Sequence, residues 1–183
     1  MRTGVLIAAT VVLGVANAAS AYTLDQVVIE SWAGTGENEV LAVVDFWPGS
    51  DTDDSFAFGY RFETETISGL DLLQGLHDAD NGFTFAESAG FVTDMWYDAD
   101  GESYHTGYSW PDSWWSYWLS DDYGETWTAS LVGAGDRVLT PGDTDGWLAK
   151  PGDDLVSVPQ TPVPEAASLA LLLSGATAIR RRR

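Results

Sequence analysis

Cysteine is absent from this chain. A thiol nucleophile and a thiolate metal centre are therefore excluded, and an oxidising compartment would add no disulfide. Positive charge is nearly as scarce. Eight Lys and Arg stand against 28 Asp and Glu, for a formal net charge of −20. Between Tyr22 and Val158 only Arg61, Arg137 and Lys150 are basic. Such a surface has almost nothing with which to replace phosphate counterions, which excludes nucleic acid as a partner. Histidine is limited to His77 and His105, without an H-x-x-H spacing, so no zinc site is expected. Nor is there a G-x-S-x-G, a P-loop or an H-E-x-x-H. With 28 acids, a carboxylate pair at glycosidase spacing arises by chance. No catalysis is predicted.

What remains is ample for one domain. The chain has 183 residues, of which 45% are hydrophobic and 13% aromatic, enough to build a core despite the charge. The two ends read as addresses rather than as fold. Arg2, the apolar run Val5 to Val15, and Ala16-Asn17-Ala18 followed by Ala19-Ser20-Ala21 form a secretory signal peptide over residues 1–21. The run is shorter than the ~20 residues of a helical span, which argues against a retained anchor. The mature chain then starts at Ala19 or Tyr22.

At the other end, a proline-containing spacer over 155–163 leads into Val163, Pro164, Glu165 and Ala166. An apolar stretch from Leu169 to Ile179 follows, and Arg180, Arg181, Arg182 and Arg183 close the chain. Residues 164–183 resemble the PEP-CTERM sorting signal of Gram-negative bacteria, with Ala166 where the motif has its second proline. The resemblance implies transient anchoring of the C-terminal helix in the inner membrane, recognition by an exosortase, and cleavage near the motif. The destination is then the cell surface or the extracellular space. The arginines hold the helix with its N-terminus outside. A permanent C-terminal anchor is the alternative.

Residues 22–154 read as one α+β domain, a mostly antiparallel or mixed sheet with one helix. Val27 to Ile29 and Val40 to Trp47 are apolar and β-branched, as buried strands are. Phe56, Phe58, Tyr60 and Phe62 alternate with small or polar residues and predict a strand with one aromatic face. Ser68 caps a helix whose Leu70, Leu72, Leu73 and Leu76 share a broad face; Gly75 weakens it and Asn81-Gly82 ends it. Further strands are expected at Phe83 to Phe85 and Phe91 to Tyr97. A hairpin of Trp114 to Leu119 with Thr126 to Ser130 follows, then Arg137 to Leu139 and Trp147-Leu148.

Gly34 to Glu39, Val43 to Phe46, Phe56 to Phe62 and Trp115 to Leu119 together resemble a family of PEP-CTERM surface proteins. More distantly, the order strand–strand–helix–strands, followed by a Trp/Tyr hairpin, is similar to the transcobalamin C-terminal-type β-grasp domain. Leu70-Asp71-Leu72-Leu73 corresponds to its helix pattern, although Asp121-Asp122 replaces the Asn-Gly of its hairpin. That likeness implies ligand binding, with a corrinoid as one candidate, rather than catalysis.

The densest chemical feature is the aromatic segment Tyr104 to Trp127. On a strand, Trp115, Tyr117 and Leu119 point to one face, assigned to the core, and Trp114, Ser116 and Trp118 to the other. Two outcomes are open. Either the loop Asp98 to Pro111 folds over the second face and buries it, or that face is a platform for a flat ligand. In the platform, Tyr104, Tyr108 and Trp110 reach Trp114 and Trp118 from the loop, while Ser116 and Asp112 orient the ligand. Asp51 to Asp54, Asp98 to Gly101 and Asp143 to Gly146 are fragments of calcium loops, none in full register. Adventitious calcium is the most they predict, and no cofactor is expected. The functional expectation is a non-catalytic surface module binding a small molecule or polysaccharide. The alternatives are a structural protein of the envelope or extracellular matrix, and a carbohydrate-binding surface protein.

Overall fold

The computed structural model describes residues 22–46, 54–79, 81–99, 101–107, 113–150, 154 and 156–164. The expected signal peptide, and Glu165, Ala166 and the arginines of the expected sorting signal, lie outside these residues. A 3-10 turn at Leu24–Gln26 precedes β1 (Ile29–Gly34). β2 (Asn38–Asp45) and β3 (Ser55–Phe62) form an antiparallel hairpin. β4 (Ile67–Ser68) runs into α1 (Gly69–Asp78). A meander follows of β5 (Phe83–Ser88), β6 (Phe91–Ala99) and β7 (Glu102–Gly107). Next come β8 (Trp114–Ser120), β9 (Thr128–Ala129), β10 (Val138–Leu139) and β11 (Thr144–Lys150).

Six of these strands make one mixed sheet in the order β1-β3-β2-β11-β8-β9. The last strand, β11, lies at its centre, parallel to β2 and antiparallel to β8. β1 joins the edge parallel to β3. Among the described residues the fold is thus α+β, mostly sheet with one helix, as the sequence predicts.

Because β2 is interior, both of its faces are covered, which is why Val40 to Val44 reads as an unbroken apolar run. On the first face, Val40, Ala42, Val44, Phe58, Trp115 and Trp147 pack against α1 and against Phe83, Met95 and Tyr97 of the meander. The helix starts where Ser68 Oγ accepts a hydrogen bond from the Asp71 amide (3.1 Å) and Asp71 Oδ2 accepts one from the Ser68 amide (2.9 Å). Leu72, Leu73 and Leu76 are fully buried, each contributing roughly 1.5–3 kcal/mol of apolar burial. Gly75, which costs helix propensity, has a packing reason. A Cβ there would sit 2.2 Å from the Tyr60 ring, so the glycine lets α1 approach β3.

The second face holds Leu41, Val43 and Ala57 with Val27, and Trp32, Tyr123 and Trp127 lean on them. Its cover comes from the two ends of the domain. Residues 156–162, within the span expected to be a spacer, lie across this face as a strap. Lys150 Nζ donates to the Ser157 carbonyl (2.6 Å), and the Gln160 amide donates to Asp45 Oδ2 (3.0 Å). The Thr161 hydroxyl donates to the Gly124 carbonyl (2.7 Å), and the Val28 amide to that of Pro162 (2.8 Å).

Two elements differ from expectation. The first strand runs from Ile29 to Gly34 rather than over Val27 to Ile29, because Val27 turns into the second face while the following polar residues find their partners on β3. Residues 102–107, expected in a loop, form β7, whose Glu-Ser-Tyr-His-Thr-Gly composition carries no apolar alternation and which is held by pairing with β6.

Candidate functional site

The alternation along β8 carries through to the structure. Trp115 and Tyr117 face the first side, and the β8–β11 register sets Tyr117 opposite Trp147, with rings stacked at 4.8 Å and 13°. Trp115 is buried edge-on against Phe46 (5.5 Å, 87°), and its Nε1 donates to the Thr106 carbonyl (2.8 Å). Tyr104 belongs with this group: its ring packs 4.7 Å from Phe56 and 6.0 Å from Phe46. It is therefore on the side of the sheet away from Trp118 and does not complete a platform there. Tyr108, Trp110 and Asp112 lie outside the described residues.

On the second side, the space beside Trp114, Ser116 and Trp118 is taken by Lys150. The ladder sets Lys150 opposite Trp114, and its Nζ lies 4.8 Å from the Trp118 ring centre and 5.8 Å from that of Trp114. Trp118 Nε1 donates to Ser116 Oγ (2.8 Å), which donates onward to the Leu148 carbonyl (3.1 Å). Burial lowers the Lys150 pKa, with Asp154 opposing. The one sequence signal for this arrangement was that Lys150 is among three basic residues of the domain, a bare cation amid many aromatics.

An open cleft exists instead on the first face. It has a volume of about 220 Å³ and is bordered by Phe91, Trp114, Trp115, Tyr117 and Trp147, with Val92, Thr93, Gly133 and Ala134 completing it. Phe91 stands at the rim, 61% exposed. The wall at Gly133 is drawn in close. The Gly135 amide donates to the Gly90 carbonyl (3.2 Å), and a Cβ on Gly133 would meet that same oxygen at 2.6 Å. Sequence reasoning missed this cleft because Phe91, Gly133 and Trp147 are distant in the chain and meet only when the meander folds onto the sheet.

Behind Tyr117 lies a buried ionic group. The Tyr117 hydroxyl donates to Asp145, which has no exposed surface. Arg137 Nε lies 3.3 Å from Asp145 Oδ1, and its Nη2 lies 3.0 Å from Asp143 Oδ2. Burial pushes the Asp145 pKa up to about 6, against the opposing pull of Tyr117 and Arg137. The Tyr117 pKa is raised, by burial first and then by the Asp145 charge. The first amides of α1 close this corner, Gly69 N–H donating to the Arg137 carbonyl (3.3 Å) and Leu70 N–H to that of Ala134 (3.1 Å).

Among the described residues, no three His, Asp or Glu side chains are grouped to hold a metal ion. In comparisons with known proteins, the chain matches no family model, no curated protein and no solved structure.

Proposed function

We propose that the chain is an exported, exosortase-sorted cell-surface protein whose domain is a non-catalytic ligand-binding module of the β-grasp type. Three things support this. The two ends have the sequence patterns of a signal peptide and a PEP-CTERM tail. A hairpin (β2–β3), a helix packed on its face, and a final strand (β11) inserted beside β2 is the arrangement such a module would have. The observation that carries ligand binding is the open aromatic cleft on the first face.

The ligand is compact. At about 220 Å³ the cleft is below the usual ~300–1,000 Å³ of small-molecule sites, so it suits one ring or a head group better than a macrocycle of corrinoid size. Thermal denaturation of the exported chain against a panel of compact apolar compounds and oligosaccharides tests the reading. A saturable rise in Tm that is lost on Phe91→Ala supports it. No shift with any member, at concentrations up to millimolar, would leave the structural-protein alternative. That second reading has an observation of its own, since Trp115 and Trp147 are only 8% and 1% exposed and serve the core in any case.

A further inference from the structure

Four aromatic side chains turn to the cleft, Phe91, Trp115, Tyr117 and Trp147, and among the described residues no Lys or Arg borders it. All three basic residues of the domain are engaged elsewhere. Arg61 lies 4.4 Å over Trp32 and pairs with Glu39 at 2.9 Å. Lys150 is on the opposite face between two tryptophans. Arg137 sits between Asp143 and Asp145, two carboxylates against one guanidinium. The charge behind the Tyr117 ring is thus net negative. The hydroxyl that donates to Asp145 also pushes electron density back into that ring, which deepens the negative potential over its face. With a chain at −20, the surrounding field gathers cations and repels anions.

Those features select a charge sign, and the lining selects a form. A primary ammonium carries three donors that require acceptors, whereas this cleft is walled mainly by rings, Val92 and Ala134, with Thr93 the one hydroxyl-bearing side chain besides Tyr117, whose own hydroxyl is turned to Asp145. A cation already sheathed in alkyl groups needs none. Aromatic walls bind such a cation through the ring quadrupoles at little desolvation cost.

We propose that the cleft is an aromatic cage for an alkylated ammonium group, the class that includes choline-type head groups. This rests on the ligand-binding reading above and names its ligand class. Phe91 is the exposed wall of the cage, and Tyr117, backed by the buried ring of Trp147, is its base.

Isothermal titration of the exported chain at low ionic strength tests it, using tetramethylammonium, choline, and the neutral isostere of choline in which carbon replaces the quaternary nitrogen. Potassium chloride at matched concentration controls for counterion association with the acidic surface. Choline and tetramethylammonium should bind saturably, and the isostere several-fold more weakly. Phe91→Leu keeps the apolar wall but removes the ring. It should weaken the cations about two- to fivefold, as one exposed ring is worth, and leave the isostere and the Tm unchanged. An isostere that binds as well as choline overturns the cage while leaving a neutral-ligand site standing. Cation binding that potassium matches, or that Phe91→Leu does not touch, assigns the effect to the acidic surface and overturns the cage. Absence of binding by every probe overturns the cage, and the broader panel above then decides the ligand reading of this cleft.

Discussion

Lys150 and Asp145 are two charges buried within one strand, and each has a measurable consequence. Lys150 is 2% exposed and is satisfied by the Ser157 carbonyl and by the rings of Trp114 and Trp118. Trp118→Ala would uncover this ammonium and take a donor from Ser116, so it should cost about 1–3 kcal/mol. Trp115→Ala removes a ring from the middle of the core and should cost more, ~3–5 kcal/mol. Urea denaturation of the two variants checks the order; equal losses would mean that the two faces of β8 are equally essential to the core. The alternation of this strand was legible in Trp-Trp-Ser-Tyr-Trp-Leu. The neighbour that fills its second face was not, because pairing register joins Trp114 to a residue 36 positions away and no local pattern encodes it.

Asp145 gives a pH dependence whose sign is fixed. Its folded-state pKa, about 6, lies above the ordinary carboxyl value of 3.8. The folded protein therefore holds this proton more tightly than the unfolded chain does. The stability it contributes is complete below about pH 4 and is lost as pH rises to about 6, by at most about 3 kcal/mol. Asp154 acts in the opposite sense and in a lower window. Its carboxylate, held down to about 2 by the hydroxyl and amide of Ser157 and the amide of Val156, favours the fold above pH 4 and loses that effect as pH falls further. Subtracting the stability profile of Asp145→Asn from that of the wild type should leave a decline between pH 4 and 6. A flat difference would show that the Asp145 carboxyl titrates alike in the folded and unfolded chain.

At the scale of elements, the helix was legible because a cap, a leucine face and a stop signal agree within a dozen residues. Its glycine read as a weakness, and only the Tyr60 ring beneath it explains the choice. β7 and the strap are less legible for a common reason. Neither carries a hydrophobic period: β7 is polar and is held by its pairing with β6, and the strap is held by hydrogen bonds to partners far away in the chain. The strap should be integral to stability. A chain ending at Lys150 loses its bonds to Asp45, Gly124 and Val28, and should be several kcal/mol less stable than one ending at Pro164. Denaturant midpoints of the two truncations compare them directly. Equal midpoints would reduce the strap to a passive tail.

For the whole molecule, charge and address can be tested apart from the fold. Replacing Arg180, Arg181, Arg182 and Arg183 with Ser removes the charge that holds the C-terminal segment with its N-terminus outside. Under the sorting proposal, the variant should accumulate unprocessed or leave the surface fraction, with the domain still folded. Fractionation that finds it processed and placed like the wild type would refute the proposal.

The bond between Val28 and Pro162 brings the first and last described segments of the domain together on the second face, while the cleft opens on the first. A protein held through the residues after Pro164 would therefore be tethered by its back. Tension on the tether would enter the strap and act on a few hydrogen bonds at the rear of the sheet. The front, with its aromatic opening, would stay turned toward whatever drifts past, unloaded by the pull.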